Sequence, residues 1–435
     1  MKKVLIITYY WPPSGGGGVQ RWLKFVKYLR DFGWEPVIYT HENGEVPVID
    51  ESLNEEVPYG LTVLKKKIWE PYQFYKWLTG QKSSEKVQTG FLSEGKKPGL
   101  GQKIATWIRG NFFIPDARCF WIKPSIKYLN QQISEIQPDL IVTTGPPHSM
   151  HLIGEGLRDK WPDIPWIADF RDPWTNIDFY PRLMLTRWAD QKHRRLEKKV
   201  LRKADQVITV SPNWAKDFEE LGAKNVQVIT NGYDSTDFPE APPQPDQEFT
   251  LTHAGYLNQD RNPENLWKAL SELIEENQEL KKALKVRFIG KTDYAVWELL
   301  SNEGLAPYAE KIDYVPHTEA IRICQQSQML LLLLSDTPEA MGRIPGKLFE
   351  YMATHRPVLA IGPEDGDSAK IIHQTHCGQA INFTDKASLK NHVRKSFEAY
   401  KNGALKIDPK DIEAYERRNL TRSLTEVFGR VMGGG

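Results

Sequence analysis

The sequence predicts an α/β protein of two tandem domains, each built on a parallel β-sheet. In both halves of the chain, short apolar runs alternate with stretches of helical periodicity, which is the pattern of parallel sheets covered by helices. A proline-rich segment, 239–247, separates the two halves and is the best candidate for a linker. The 435 residues also exceed what one ordinary hydrophobic core accommodates.

The first domain opens with a strand, a glycine loop and a helix. The apolar run Val4–Thr8 is followed by four consecutive glycines, Gly15–Gly18. Apolar residues then recur at helical spacing from Trp22 to Leu29, and Gly33 is expected to end that helix. Further strands are expected at 36–40, 139–143, 166–169, 206–210 and 226–229.

The second domain repeats this alternation after the linker. Strands are expected at 249–253, 286–289, 329–334 and 357–361, and helices from about Pro263 and over 347–354. We therefore divide the chain into an N-terminal domain (1–238), the linker, a C-terminal domain (248–405), and a helical segment (406–435) that packs back on the N-terminal domain.

Composition and charge exclude several classes of protein. The chain has 57 Lys and Arg against 56 Asp and Glu, so no overall positive charge directs it to nucleic acid. Its three scattered cysteines form neither a metal-binding spacing nor a disulfide framework, which favours a reducing cytoplasm. The apolar start is better explained as a strand than as a signal peptide, and the longest apolar run, 329–334, is too short to span a membrane.

Residues 65–127 differ from the rest and are interpreted as an insertion. Thirteen basic residues face only four acidic ones there, and eleven aromatic residues are interleaved with them. Basic side chains are attracted to an anionic bilayer, and aromatic side chains favour its headgroup layer. The alternative is a solvated insertion whose aromatic residues belong to the core.

Candidate anion-binding residues lie in both domains. Backbone amides at Gly16 and Gly17, between the first strand and its helix, are placed to approach a phosphate, although a flexible turn is an equal alternative. In the second domain, Gly255, Tyr256 and Arg261 follow the first strand.

A second group of candidates lies at the start of the helix predicted over 347–354. Gly346 and Lys347 begin this helix, and Glu350 follows on the same face. Lys347 could neutralise a phosphate and Glu350 could accept hydrogen bonds from a ribose diol, whereas the alternative is an ordinary helical ion pair.

Polar residues also follow first-domain strands, where an open parallel sheet binds its ligands. His148 could hydrogen-bond a ligand, or it could cap the following helix. Asp169 could accept a proton from a ligand. Arg171 could form a structural ion pair with Asp169 or Asp172.

The sequence resembles the family 4 retaining glycosyltransferases, which have two Rossmann-like domains facing a cleft (the GT-B architecture). Seven stretches in family order carry the resemblance: 15–18, 138–148, 204–211, 231–234 with Phe238, 255–261, 313–317 and 346–353. Residues 166–174 resemble the branch that builds bacterial surface polysaccharides.

The resemblance implies transfer of a sugar from a nucleotide-diphosphate donor with retention of anomeric configuration. It places Arg261 and Lys347 at the diphosphate, Glu350 at the ribose, and the amides of Gly16 and Gly17 over the phosphate. Neither a metal nor another cofactor is expected, because the two cations supply the charge.

The expected acceptor is lipid-linked or a saccharide. His148 could hydrogen-bond the donor sugar or the acceptor. Asp169 could accept the proton of the acceptor hydroxyl, although a retaining reaction could pass that proton to the departing phosphate instead.

Two positions depart from the family pattern. The family's paired glutamates, eight residues apart, would put a glutamate at position 342, which is Gly342 here. Its contact with the donor sugar is therefore vacant or taken over by another residue, for which Glu339 is the candidate. Tyr256 stands where many members carry an arginine at the diphosphate.

The sequence therefore predicts a cytoplasmic enzyme, peripheral on the inner face of the cell membrane, that acts in envelope polysaccharide synthesis. Two alternatives stay open: a nucleotide-sugar 2-epimerase of the same architecture, and a non-catalytic nucleotide-sugar-binding protein. Gly342 in place of glutamate is the feature that favours the second alternative.

Overall fold

The computed structural model describes residues 1–46, 48–71 and 100–433, and it divides the chain into two compact units. The first unit comprises Met1–Thr230 together with Arg417–Gly435, and the second comprises Asn231–Glu416. The proline-rich segment 239–247 therefore lies inside the second unit, and the boundary between the units comes eight residues before the expected one at 238.

The first unit contains a parallel sheet of seven strands in its described residues, in the order β3-β2-β1-β4-β5-β6-β7. The strands are β1 Lys2–Ile7, β2 Trp34–His41, β3 Thr62–Lys66, β4 Leu140–Gly145, β5 Trp166–Phe170, β6 Gln206–Thr209 and β7 Val226–Val228. Sequence periodicity did not indicate β3, which is short, partly exposed and at the sheet edge.

Helices cover both faces of this sheet. They are α1 Gly17–Leu29, α2 Leu100–Phe112, α3 Ile122–Ile136, α4 Ser149–Lys160, α5 Arg187–Lys203 and α6 Pro212–Glu220. Residues of β1 alternate between two apolar clusters: Leu5 and Ile7 pack in one, Val4 and Ile6 in the other. Because both faces of the sheet are buried, the sequence of the strand is a continuous apolar run rather than an alternation of apolar and polar residues.

The second unit contains a six-stranded parallel sheet in the order β10-β9-β8-β11-β12-β13. Its strands are β8 Phe249–Ala254, β9 Leu284–Ile289, β10 Ala309–Ile312, β11 Met329–Leu333, β12 Val358–Ile361 and β13 Gly378–Ile381. Its helices are α7 Glu264–Glu276, α8 Gln278–Ala283, α9 Tyr294–Asn302, α10 His317–Gln326, α11 Lys347–Ala353, α12 Asp367–Gln374 and α13 Lys386–Lys401. The predicted fold class, two parallel-sheet α/β domains, is confirmed.

The C-terminal helix α14, Arg417–Gly433, packs against α1 of the first unit. Its residues Leu424 and Phe428 are fully buried in the cluster that holds Trp22 and Phe25 of α1. The chain thus returns to its first unit at Arg417, so only part of the segment 406–435 lies there.

The segment expected to be an insertion, 65–127, is only partly separate from the sheet. Lys65 and Lys66 belong to β3, and Trp121 is buried and stacks on Tyr39 at a centroid distance of 5.0 Å. Other aromatic residues of the segment, described below, are exposed. Residues 72–99 lie outside the described residues. None of the helices in the described ranges is long and apolar enough to cross a bilayer.

Candidate functional site

The candidate site of the second unit is formed where β8 ends and α11 begins. Gly255 follows β8 with a φ of +105°, and a Cβ built on it would lie 2.1 Å from the Nζ atom of Lys347. A side chain at position 255 would therefore displace the ammonium group, and the positive φ independently favours glycine. The structure brings together two residues, Gly255 and Lys347, that lie 92 positions apart in the sequence.

Lys347 has the electrostatic character of an anion-binding group. Burial, with the positive charge of nearby Arg261, lowers the pKa of Lys347 to about 8. Glu350 opposes this shift from one turn along the helix but forms no salt bridge with Lys347. The helical ion pair considered as an alternative is therefore not formed. A partly desolvated cation beside a second one favours an anionic ligand, which would offset their repulsion.

Glu350 approaches a histidine instead of Lys347. Its Oε1 atom lies 3.7 Å from Nε2 of His317, at the start of α10, and the same nitrogen lies 3.5 Å from Oδ2 of Asp237. Glu350 is 31% exposed, so its carboxylate remains accessible to a ligand. These contacts leave other oxygen lone pairs of Glu350 available to a ligand.

A buried tyrosine anchors the strand end to the helix that carries Lys347. The backbone N–H of Ala254 donates a 2.9 Å hydrogen bond to the hydroxyl of Tyr351 on α11. Burial raises the pKa of Tyr351 well above its usual value, so the hydroxyl stays neutral. On the adjacent side, Nε of Arg261 lies 3.4 Å from Oγ of Ser335, which follows β11.

The remaining second-domain candidates occupy loops near these strand ends. Glu339 lies in a 3₁₀ turn, Pro338–Met341, and its Oε2 atom is buried without a hydrogen-bond partner among the described residues. Gly342 ends that turn and is buried, so position 342 presents no side chain there. Tyr256 is exposed, and Gly346 immediately precedes α11.

In the first unit, the glycine loop begins α1 as expected. Gly16 precedes the helix with a φ of +88°, and both Gly16 and Gly17 are exposed. No side chain caps this helix start. The positive end of the helix dipole is therefore accessible, which suits an anion.

Arg171 joins this glycine loop to the loop that follows β4. Its Nη1 atom donates a 2.7 Å hydrogen bond to the carbonyl oxygen of Gly18. Its Nε and Nη2 atoms donate to the carbonyl oxygens of Gly145 and Pro146. Arg171 thus binds backbone oxygens rather than the carboxylates of Asp169 or Asp172 expected from the sequence.

His148 follows that same loop and is 8% exposed. Its ring stacks on Trp174 with a centroid distance of 4.9 Å and an interplanar angle of 3°. Its side chain does not cap α4, whose first residue, Ser149, is instead hydrogen-bonded by Asp116. Nδ1 of His148 is buried without a hydrogen-bond partner in the described residues, and burial lowers the pKa of the ring well below its usual value. A neutral imidazole with an unused nitrogen can bind a hydroxyl group.

Asp169 is fully buried and saturated with hydrogen bonds. It accepts them from the guanidinium of Arg21, from Nε1 of Trp22 at 2.7 Å and from Oγ1 of Thr144 at 2.9 Å. Burial opposes ionisation, but Arg21 and Trp22 outweigh it and lower the pKa of Asp169. A low-pKa, enclosed carboxylate is a poor proton acceptor for an acceptor hydroxyl. The catalytic role expected for Asp169 does not fit its place, which is structural.

Sequence reasoning assigned no role to two residues that complete these arrangements, Tyr351 and His317, and it did not predict the contacts of Arg171. Tyr351 lies within the family-like stretch 346–353, and His317 ends the stretch 313–317. As a polar residue in a matching motif, His317 could have been identified from the sequence. The clamp formed by Arg171 could not have been foreseen, because its partners are backbone atoms.

Comparison with known proteins identifies one matching family model. Residues 85–237 match the family model described as Glycosyltransferase Family 4. No curated protein sequence matches the chain significantly.

Three solved structures illustrate the likeness of the fold. A sucrose-phosphate synthase from Thermosynechococcus elongatus superposes with a TM-score of 0.64 at 13% identity, over 100% of both chains. WaaG, a glycosyltransferase involved in lipopolysaccharide biosynthesis, gives 0.55 at 12% identity over 99% of this chain and 100% of the other. A UDP-N-acetylglucosamine 2-epimerase described as putative, from Listeria monocytogenes, gives 0.55 at 11% over 100% and 98%. The chain therefore has the GT-B fold, and the match to the family model covers its residues 85–237.

Proposed function

We propose that this protein transfers a sugar from a nucleotide-diphosphate donor to a lipid-linked or saccharide acceptor with retention, in bacterial envelope polysaccharide synthesis. The observation that carries the proposal is the ammonium of Lys347, which lies against the bare backbone of Gly255 and beside a second cation, Arg261. This arrangement suits a pyrophosphate, whose two charged groups can approach a backbone without a side chain.

The chemistry of transfer explains why these cations would accelerate the reaction. As the bond between the anomeric carbon and the phosphate oxygen breaks, negative charge grows on the nucleotide diphosphate. Lys347 and Arg261, held in place by Gly255 and Ser335, would stabilise that charge more in the transition state than in the ground state. In this proposal the two side chains supply the charge neutralisation, so the reaction needs no metal or other cofactor.

The other proposed contacts with the donor use two carboxylates of the second unit. Glu350, held beside His317, would accept hydrogen bonds from the ribose diol. Glu339 would bind a hydroxyl of the donor sugar, since its buried Oε2 atom lacks a partner in the described part of the chain. We also propose that the amides of Gly16 and Gly17 bind the donor phosphate.

For the acceptor we propose a hydrogen bond to the neutral ring of His148, through its unused Nδ1. The acceptor oxygen forms its bond to the anomeric carbon on the face from which the phosphate departs. The acceptor proton passes to the departing phosphate oxygen, so the reaction needs no carboxylate base at Asp169, and the products are the glycoside and the nucleoside diphosphate.

Two observations support the proposed cellular setting. WaaG, which shares the fold, is described as acting in lipopolysaccharide biosynthesis. The basic and aromatic composition of residues 65–127 suits the surface of an anionic bilayer. We place the enzyme in the cytoplasm, peripheral on the inner face of the membrane.

Ligand-induced stabilisation would test the donor site. UDP, GDP, ADP and TDP are screened by thermal shift with the wild type, with Lys347→Ala and with Lys370→Ala, an exposed lysine of the same unit as control. We expect one nucleotide to raise the Tm of the wild type and of the control but not of Lys347→Ala, because a ligand stabilises only the state that binds it. An undiminished shift in Lys347→Ala would contradict the proposed site.

Transfer itself is tested with the donor that carries the selected nucleotide. Incubation with a panel of lipid-linked and free saccharide acceptors should give a glycoside whose anomeric proton coupling matches that of the donor. An inverted product would contradict retention.

A second candidate function is nucleotide-sugar 2-epimerisation, which the structural likeness to the epimerase from Listeria monocytogenes favours. Incubation with UDP-GlcNAc alone in deuterated water, followed by NMR, distinguishes the two: an epimerase exchanges the C2 proton, whereas a glycosyltransferase leaves it in place. A protein that binds a donor without either activity would be a non-catalytic nucleotide-sugar-binding protein.

A further inference from the structure

One surface of the first unit combines exposed aromatic side chains with a row of unpaired cations. The patch lies on α2, on the loop before α5 and at the start of α5: Trp107 is 40% exposed, Phe112 64% and Trp188 61%, and Met184 is 41% exposed between them in the chain. We call these four residues the apolar patch. Large apolar side chains with this exposure are unusual on a soluble surface and indicate a contact with another phase or partner.

The structure ties the members of the apolar patch together. Asn111, 4% exposed, donates from Nδ2 to the carbonyl oxygens of Trp107 and Met184. Its Oδ1 atom accepts a 2.7 Å hydrogen bond from the backbone N–H of Thr186. A Cβ on Gly110 would lie 2.7 Å from the carbonyl oxygen of Leu183, so α2 closely approaches this loop. The patch is therefore one built surface shared by two elements.

The cations continue from the apolar patch along α5. Arg187, Arg195, Lys198 and Arg202 are exposed, and no acidic side chain pairs with them among the described residues. We call these four the cationic row. Other basic residues of α5 do have partners: Arg194 pairs with Asp190, and Lys199 and Lys203 pair with Glu155. The row thus presents four charges that no neighbour neutralises.

We propose that the apolar patch and the cationic row together bind the surface of an anionic phospholipid bilayer. The row matches the negative potential of such a surface, and the aromatic side chains match its headgroup layer. A soluble polyanion would contact only the cations, so the apolar patch would remain exposed to water. This inference deepens the membrane location proposed above: it keeps Trp107 and Phe112 of residues 65–127 and adds α5, which sequence analysis did not single out.

The buried face of α5 connects this surface to the proposed acceptor site. Glu197, 1% exposed, accepts hydrogen bonds from the backbone N–H groups of Trp174 and Thr175 and a 2.6 Å hydrogen bond from Oγ1 of Thr175. Nδ1 of His193 accepts a 3.0 Å hydrogen bond from Nε1 of Trp174, the ring on which His148 stacks. Because a helix is about 10 Å across, the bilayer would lie roughly one helix diameter from the loop beside His148. A lipid-linked acceptor fits that distance.

Vesicle flotation tests the proposal with the full chain. The vesicles are phosphatidylcholine alone, or phosphatidylcholine with 30% phosphatidylglycerol, and soluble polyphosphate serves as a competitor. The cationic variant is Arg195→Glu, Lys198→Glu, Arg202→Glu; the apolar variant is Trp107→Ser, Phe112→Ser, Trp188→Ser. The control, Lys281→Glu, Lys282→Glu, Lys395→Glu, makes the same charge change at exposed sites of the second unit.

We expect wild type and control to bind the anionic vesicles, and each of the two test variants to lose at least tenfold in partitioning. The control must also retain preference for anionic over neutral vesicles. Equal losses in the cationic variant and the control would show that only net charge matters and would overturn the proposal, as would unchanged binding by either test variant. Binding of polyphosphate without binding of vesicles would assign the row to a soluble polyanion instead.

Nucleotide-induced thermal shift of each variant separates this inference from the donor site. The shift should match that of the wild type, since the substitutions lie outside the second-unit site. It also shows that the variants are folded. Loss of vesicle binding with an intact shift supports the docking surface whether or not sugar transfer is established.

Discussion

The charged residues at the strand ends of the two units differ in how completely the protein itself binds them. In the first unit, Asp169 is enclosed by three donors and Arg171 holds three backbone carbonyl oxygens. In the second unit, Lys347 forms no salt bridge within the described residues, and Oε2 of Glu339 is buried without a partner there. The first pair builds the fold, whereas the second pair retains binding capacity for a ligand. Charged residues near the strand ends thus stabilise the fold in the first unit and are available to a ligand in the second.

The largest effect that this comparison predicts is on folding, at Asp169. Removing the carboxylate in Asp169→Ala leaves the guanidinium of Arg21 buried and unpaired, which should cost about 3–5 kcal/mol in the free energy of unfolding. Denaturant unfolding followed by tryptophan fluorescence measures the loss. Asp172→Ala, in the loop that follows β5, is the control and should change the unfolding free energy little. A stable Asp169→Ala protein that had lost only turnover would restore the catalytic role for this residue.

Lys347 should behave in the opposite way. In Lys347→Ala we expect no loss in the free energy of unfolding, since the substitution removes a cation that burial and Arg261 already disfavour. Affinity for the nucleoside diphosphate should fall by roughly 10–100-fold, because a charge-assisted hydrogen bond contributes about 1.5–3 kcal/mol. Unfolding curves and titration calorimetry measure the two quantities on the same sample. A destabilised variant that binds normally would assign Lys347 to the fold.

Gly255→Ala tests whether the bare backbone matters. A Cβ would meet Nζ of Lys347 at 2.1 Å and would also strain the positive φ, so the ammonium must shift. We expect nucleotide affinity to fall about tenfold and the unfolding free energy to fall by about 1 kcal/mol. Gly304→Ala, at a φ of +70° with nothing within 4 Å of its Cβ, is the control for backbone strain. Equal affinities in the two variants would mean that Lys347 does not act from this position.

The smallest effect is expected at Arg171. In Arg171→Lys one ammonium replaces a guanidinium that binds Gly18, Gly145 and Pro146, so the two loops lose a shared partner. The side chain positions other groups and is not expected to touch the donor. We expect KM for the acceptor to rise several-fold, with kcat and the unfolding free energy nearly unchanged. A fall in kcat alone would indicate a direct part in the chemistry.

Most strands of the two sheets were predicted from the sequence, whereas the side-chain contacts within the candidate sites were not. Apolar runs such as 329–334 become strands buried on both faces, and that burial is what makes them recognisable. The edge strand Thr62–Lys66 was missed because only part of it is buried. The position of Lys347 against Gly255 follows from how α11 packs beside β8, and no local pattern encodes that approach.

The same reasoning explains the misplaced expectation for Asp169. Asp169 looked catalytic because carboxylates at strand ends often are, but its partners Arg21 and Trp22 come from a helix about 150 residues earlier in the chain. The exposed row on α5 was not singled out from the sequence, because it is recognisable only once the acidic partners of the other cations of that helix are known.

The central claim, that Lys347 binds the donor pyrophosphate, is tested most directly by proton uptake on binding. The free protein holds the pKa of Lys347 at about 8, and a bound pyrophosphate would raise it. The affinity for the nucleotide should therefore be highest below pH 8 and should fall as the pH rises through that value. Calorimetry at pH 8.5 in two buffers of different ionisation enthalpy should show uptake of about half a proton or more per nucleotide, and none in Lys347→Arg, which is always charged. No proton uptake by the wild type at pH 8.5 would contradict the account.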